Sequence, residues 1–199
     1  MSPLQAALVE ADRQANSEGA VWDSLRRIAG ELQRLDIPYA VVGGLALQHF
    51  GIQRSTQDID ILVTPGGLER IHRKLVGHGY QPNSPGGRHL RDDVTRIRIE
   101  FLMAGEFPGD GQPKPVAFPD PGPVSAPSEV GIRFVKLETL IELKLASAMT
   151  APHRIKDRAD VLELIHVESL GSQFADRLHE YVRKDFLELA SLPPPSDRD

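Results

Sequence analysis

The chain has 199 residues, of which 40% are apolar and 26% charged, and its formal net charge at pH 7 is −5. These values are close to the averages for soluble globular domains, so they exclude a chain that is disordered throughout or built of membrane spans. The negative charge excludes a protein that coats nucleic acid by bulk electrostatics, so any RNA contact must come from a local basic patch. Cysteine is absent, which excludes disulfides, thiolate zinc sites and a cysteine nucleophile.

No signal for export or membrane insertion is visible in the sequence. The first residues lack a basic segment followed by an apolar run, and no stretch approaches the roughly 20 apolar residues of a membrane span. The absence of cysteine fits a reducing compartment. We therefore expect a cytoplasmic protein that has no membrane partner.

Helices and strands alternate in the first half of the chain. Apolar residues at three- and four-residue steps predict helices, and short apolar or alternating runs predict strands. The patterns predict, in chain order, a helix at 21–35, a strand at 39–44, a helix at 45–50, a strand at 58–63, a helix at 68–76 and a strand at 97–103. This order indicates an α/β (α+β) fold in which a small mixed sheet is flanked by helices.

The second half begins with a segment at 105–131 that is rich in glycine and proline. We expect a long loop or irregular hairpin there, which is either a flap over a substrate or a mobile segment. Helical spacing then predicts helices at 137–149, 155–166 and 174–192. The resulting division is a core at 20–135, a C-terminal helical lobe at 136–192 and a disordered, proline-rich tail at 193–199.

Two glycines, Gly43 and Gly44, end the first predicted strand and precede a predicted helix. Glycine lets the backbone approach a phosphate closely, and a helix N-terminus offers unpaired N–H groups to an anion. The pair therefore predicts a seat for the phosphates of a nucleotide.

Carboxylates recur on the predicted strands. Asp58 and Asp60 lie two residues apart on one strand, so their side chains share a face and can share a metal. Glu100, inside the next strand, is the candidate third carboxylate, and Asp92 and Asp93, which precede that strand, are its alternatives. Carboxylate oxygens suit Mg²⁺, with Mn²⁺ as the alternative ion, and a pair of such ions would serve a phosphoryl-group transfer.

The order hydrophobic-Gly-Gly, then Asp-hydrophobic-Asp, then a carboxylate on a later strand resembles the nucleotidyltransferase superfamily. The match falls on Gly43, Gly44, Asp58, Asp60 and Glu100, with 13 residues between Gly44 and Asp58. The resemblance implies the minimal nucleotidyltransferase fold. It also implies a two-metal site in which the two aspartates and Glu100 are both metal ligands and catalytic residues.

A second set of residues looks like the AbiEii-type toxin branch of that superfamily. The segments concerned are 54–57, 140–144 and 154–160. By this resemblance Lys144 would bind the nucleotide phosphates, and Asp157 would lie near the metal or the acceptor, with Asp160 as its rival. Arg54 and Thr56 would support the bound nucleotide.

Structural roles are the alternatives for the charged residues of these segments. Lys144 would then lie on the polar face of its helix, and Asp157 and Asp160 would pair with basic residues at helical spacing. The basic residues of 88–98 either contact an RNA backbone or are solvated charges.

The resemblance implies an Mg²⁺-dependent enzyme that transfers a nucleoside monophosphate from a nucleoside triphosphate, its substrate, to a hydroxyl group and releases pyrophosphate. The sequence leaves the acceptor open between an RNA such as a tRNA end, a protein side chain and a small molecule such as an aminoglycoside. A cognate antitoxin is a further expected partner. The alternatives are a non-catalytic nucleotide-binding or toxin–antitoxin interaction module with the same fold and, third, a phosphodiesterase or nuclease that uses the same carboxylates.

Overall fold

The chain enters the fold through helix α1 (Ala20–Arg34) in the computed structural model, which describes residues 18–193. One face of this helix is apolar, and Leu25, Ile28 and Leu32 on that face are fully buried. Steps of three and four residues place side chains on one side of a helix, which explains why these positions share the burial. The helix predicted at 21–35 is confirmed.

Between residues 18 and 193 the strands form one seven-stranded mixed sheet in the order β3-β4-β5-β2-β1-β7-β6. The strands are β1 (Tyr39–Val42), β2 (Asp58–Val63), β3 (Tyr80–Pro82), β4 (His89–Asp92), β5 (Arg98–Met103), β6 (Ser125–Pro127) and β7 (Arg133–Val135). β2 runs parallel to β5 and β1 parallel to β7, whereas the other neighbours are antiparallel. The predicted mixed sheet is confirmed, and it has more strands than were predicted.

The remaining helices connect the strands or follow them. They are α2 (Gly43–His49), α3 (Pro65–Leu75), the single turn α4 (Pro121–Val124), α5 (Leu137–Thr150), α6 (Ile155–Val167) and α7 (Glu180–Ala190), with 3₁₀ turns at Pro152–Arg154 and Ser172–Arg177. α5, α6 and α7 contact one another and form the end of the described chain. None of the helices in residues 18–193 has the length and apolar character needed to cross a bilayer.

The prediction of a single helix at 174–192 is wrong for the first part of that range. The 3₁₀ turn Ser172–Arg177 occupies this part, and the backbone of Leu178 after it is extended, with φ −95° and ψ 156°. His179 then caps α7, because its Nδ1 accepts the N–H of Tyr181 at 3.1 Å. The disordered tail predicted at 193–199 lies, apart from residue 193, outside the described residues.

Alternation along β2 and β5 separates the core from the site. Ile59 and Ile61 on β2, and Ile99 and Phe101 on β5, are fully buried. The residues between them belong to the opposite face, because successive side chains of a strand point to opposite sides. The charged residues of both strands therefore share the face of the sheet that does not carry these core residues.

Candidate active site

Two acidic residues meet where β1 ends. The parallel pairing of β2 with β5 places Asp60 directly beside Glu100, and the antiparallel pairing with β1 places Asp60 beside Val42, the last residue of that strand. Neighbouring strands lie about 4.8 Å apart, so side chains of paired residues are in contact range. Asp58 lies one step earlier on the same face of β2.

Gly43 is required by Asp60. Its φ of +63° is in the left-handed region, and a Cβ added there would come within 2.0 Å of Asp60 Oδ2. Gly44 has a similar neighbour, because an added Cβ would come within 2.9 Å of Thr56 Oγ1. Thr56 in turn donates its hydroxyl to the backbone oxygen of Asp58 at 3.1 Å. Both glycines thus admit protein side chains that approach the start of α2.

Asp60 lies in an acidic environment. The pKa of its carboxyl is raised from 3.8 to about 6, first by burial and then by the charges of Glu100 and Asp58. Lys144 and Arg98 oppose this shift without cancelling it. A partly buried carboxylate that is repelled by two others favours the binding of a cation.

Glu100 already has basic partners. Arg98 Nη2 donates to Glu100 Oε2 at 2.8 Å, and His89 Nε2 lies 3.3 Å from the same oxygen without the geometry of a hydrogen bond. Within residues 18–193 no three acidic or histidine side chains already form a metal shell. The oxygen donors of Asp58, Asp60 and Glu100 nevertheless match the preference of Mg²⁺ for carboxylates, so the residues fit this ion in their chemistry.

A cavity of about 340 Å³ opens over the Asp60–Glu100 pair, between the sheet, α5 and the loop that follows β5. Its charged and polar lining consists of Asp60, Glu100, Glu106, Lys144, Ser147, Arg154 and Asp157, and its apolar lining includes Leu102, Phe107, Phe118, Leu140 and Leu143. Of the residues predicted for the site, Gly43, Asp60, Glu100, Lys144 and Asp157 line this cavity. Gly44, Arg54, Thr56 and Asp58 do not line it. We call this space the site cavity.

The glycine- and proline-rich loop is the outer wall of the site cavity. Phe118 donates its N–H to the backbone oxygen of Glu106 at 2.7 Å, which closes the base of the loop. Farther along, Gly109 packs so closely on α5 that an added Cβ would come within 2.8 Å of Ser147 O. Arg88 holds Glu106 through both guanidinium nitrogens. The segment therefore forms part of the cavity wall, and its role as a flap over a substrate stays a prediction.

Lys144 is buried and paired twice. Its ammonium group donates to Asp160 Oδ2 at 2.6 Å and to Asp157 Oδ1 at 3.1 Å. Asp160 also accepts from Arg54 Nη1 at 2.5 Å, whereas Asp157 accepts from Ser147 Oγ at 2.7 Å. Asp160 is 4% exposed and lies behind the site cavity, and Asp157 lines it. The two rivals thus differ: Asp160 links Lys144 to the segment before β2, and Asp157 faces the cavity.

The alternatives to Glu100 lie elsewhere. Asp92 is fully buried and accepts from Ser24 Oγ at 2.9 Å and from the N–H of Val94 at 2.8 Å, which makes it a structural carboxylate. Asp93 lies 3.9 Å from Arg96. Neither aspartate lines the site cavity.

Sequence reasoning missed several residues of the cavity lining. Arg154 stands in the segment 154–160, where helical spacing predicts only pairing with an aspartate, and its side chain lies 3.6 Å from Asp157. Phe107, Phe118 and Glu106 lie in an irregular loop, where no periodicity indicates which side chains face a cavity. For Ser147 of α5, the signal in the sequence is its spacing of three residues from Lys144, which places both on one face of the helix.

Comparison with known proteins gives the family of the chain. Residues 2–109, more than half of the chain, match a family described as uncharacterised nucleotidyltransferases, and the chain belongs to that family. The crystal structure of a candidate nucleotidyltransferase from Thermotoga maritima is similar, with a TM-score of 0.45, 18% sequence identity, and coverage of 72% of this chain and 91% of that one. No significant match was found among curated proteins.

Proposed function

We propose that the protein transfers a nucleoside monophosphate from a nucleoside triphosphate to a hydroxyl acceptor, with Mg²⁺ bound by Asp58, Asp60 and Glu100. The observation that carries the proposal is the Asp60–Glu100 pair on the floor of a cavity that also contains Lys144. A structural role alone gives no reason to hold two carboxylates side by side and partly buried, because like charges in adjacent strands are destabilising.

The lining of the site cavity suits a nucleotide. Its volume of about 340 Å³ lies within the usual range for small-molecule sites. Lys144 and Arg154 give the cavity cationic groups for phosphates, and Phe107 and Phe118 give it aromatic surface for a base. We infer that the triphosphate lies toward α5 and Asp60, and the base toward the loop.

The reaction follows from the groups present. The acceptor oxygen attacks the α-phosphorus, and the bond from that phosphorus to the bridging oxygen of the β-phosphate breaks, so that pyrophosphate leaves. Glu100, which lies beside Asp60 on the neighbouring strand, takes the proton of the attacking hydroxyl in this proposal. Mg²⁺, when bound, supplies positive charge to the phosphate oxygens. Lys144 and Arg154 neutralise the phosphates that leave.

The pairing of Lys144 defines its role. Because Asp157 and Asp160 hold its ammonium group, the lysine is a fixed donor whose position is set before the nucleotide binds. Asp157 borders the cavity, where it meets the acceptor or the metal in our proposal, as the resemblance to the AbiEii-type branch implies. Asp160 is a positioning residue.

A second candidate function is a nucleotide-binding module without turnover, such as one partner of a toxin–antitoxin pair. The observation that favours it is the ion pair between Glu100 and Arg98, which occupies the carboxylate that would act as base. Such a module would bind a nucleoside triphosphate and transfer nothing.

One experiment separates these candidates. Purified protein is incubated with Mg²⁺, each α-³²P-labelled nucleoside triphosphate, and total RNA or protein extract. The comparison variants are Asp60→Asn and the matched control Glu129→Gln, an exposed carboxylate outside the site cavity. We expect label on a macromolecule with the wild type and the control and none with Asp60→Asn. Triphosphate binding in calorimetry without transfer would support the module, and the absence of both would refute the proposal.

A further inference from the structure

A second cavity, of about 440 Å³, adjoins the site on β2 and is lined with arginines. Its lining includes Val21, Asp58, Arg91, Arg96, Ile97 and Arg98. We call it the arginine groove. Asp58 belongs to this groove and Asp60 to the site cavity, so the two spaces meet along one face of one strand.

The strand register explains how the groove is built. Arg91 of β4 pairs with Arg98 of β5, and Arg98 pairs with Asp58 of β2, so two guanidinium groups and one carboxylate form a row across three strands. The next row, two residues along, contains Glu100 and Asp60. The positive row thus lies directly beside the acidic pair of the site.

Two features of this row are energetically unfavourable. Like charges placed opposite each other on neighbouring strands destabilise a sheet, and Arg91 lies opposite Arg98. Arg98 Nη2 donates to Glu100, but the Nε of Arg98 is buried and has no hydrogen-bond partner among the described residues. Arg96 adds a third guanidinium, with 66% of its side chain exposed. Bound anionic oxygens would remove the repulsion between the arginines.

We infer that the arginine groove binds the phosphate backbone at the 3′ end of a polynucleotide, which is the acceptor. The inference rests on the proposed transfer reaction. The acceptor hydroxyl must reach the Asp58–Asp60 edge while its own molecule contacts the row of arginines. In a polynucleotide the terminal hydroxyl is one sugar away from a phosphate, whereas an acidic protein offers no fixed distance between a hydroxyl and its carboxylates. The net charge of −5 restricts such binding to this local patch.

The test measures binding before any transfer occurs. A fluorescein-labelled single-stranded RNA 12-mer is titrated with protein, without nucleotide, over a range of salt concentrations, and binding is followed by anisotropy. Three phosphate contacts predict that log K falls against log salt with a slope of about −2, since each contact on a single strand contributes about 0.7. The double variant R91Q/R96Q should lose roughly two-thirds of this slope and bind at least several-fold more weakly.

The control is R70Q/K74Q, which removes the same charge from exposed positions of α3 outside both cavities. It should bind RNA like the wild type. Equal binding by both double variants would overturn the inference, and so would polyglutamate that binds as tightly as RNA with the same dependence on the arginines. Calorimetry of Mg²⁺ and nucleoside triphosphate binding to R91Q/R96Q and to the wild type distinguishes failure of the groove inference from failure of the proposed function. If R91Q/R96Q retains triphosphate binding and binds RNA like the wild type, the inference about the groove alone is refuted. If the wild type itself binds no triphosphate, the proposed function is refuted.

Discussion

Replacing Asp60 with asparagine should stabilise the folded protein at neutral and alkaline pH. The pKa of Asp60 is raised from 3.8 to about 6, first by burial and then by the charges of Glu100 and Asp58. A raised carboxyl pKa means that the folded state holds its proton more tightly than the unfolded state does. The stabilisation of the folded state by protonated Asp60 is therefore complete below pH 3.8 and is lost as the pH rises through 6.

The magnitude follows from the shift. A change of two pKa units corresponds to about 3 kcal/mol of unfolding free energy, the cost of the ionised Asp60 at pH 8. The cost at pH 5 is roughly half as large, because the folded state is still mostly protonated there. Asparagine never carries this cost, and its amide can donate to Glu100. The unfolding free energy of Asp60→Asn should therefore exceed that of the wild type by up to these amounts.

Urea unfolding at pH 5 and pH 8, without divalent cations, measures the difference. The control Glu129→Gln makes the same chemical change at an exposed position and should alter stability little at either pH. Added Mg²⁺ should then raise the stability of the wild type and leave Asp60→Asn unchanged, since only a protein with the complete site gains from the ion. A variant that is less stable than the wild type at pH 8, or that differs equally at both pH values, would refute the electrostatic reasoning.

Two further substitutions test the packing around the site and the assignment of the structural carboxylate. Gly43→Ala should destabilise the protein by about 1–3 kcal/mol in urea unfolding, because its Cβ would displace the carboxylate of Asp60. It should also abolish Mg²⁺-dependent triphosphate binding in calorimetry. The control Gly66→Ala, where an added Cβ meets nothing, should be neutral or slightly stabilising in the same measurements. Asp92→Ala should cost about 3 kcal/mol in urea unfolding, since it leaves the hydroxyl of Ser24 and two backbone N–H groups without their acceptor, and triphosphate binding by the folded variant should persist. Loss of binding in the folded Asp92→Ala protein would return that aspartate to the site.

The part of the fold that the sequence predicts best is the part with strong periodicity. Residues 58–63 and 97–103 alternate between apolar and charged positions, and the register then places Asp60 beside Glu100. The strands β3, β4, β6 and β7 have only three or four residues each, too few for a period to show. Their positions depend on pairing with distant segments, which local patterns do not encode.

The candidate site shows the same limit. Asp157 and Asp160 are three residues apart on α6 and share a helix face, so spacing alone gives them equal claims. The difference arises because Arg54, far away in the chain, pairs with Asp160 and covers it. Likewise, Arg91 and Arg98 form a row only through the pairing of β4 with β5. Long-range contacts of this kind decide which charges face a ligand.

The close approach of Gly43 and Asp60 also limits how the sequence of this family can drift. Any residue with a Cβ at 43 would occupy the space of the Asp60 carboxylate, so neither position can change freely while the other stays as it is. A lineage that gave up the acid at 60 would no longer need the space, and only the backbone torsion at 43 would continue to favour glycine. We therefore expect the two positions to be lost together in members of the family that no longer catalyse a reaction, which makes this pair a marker for separating active from inactive members by sequence.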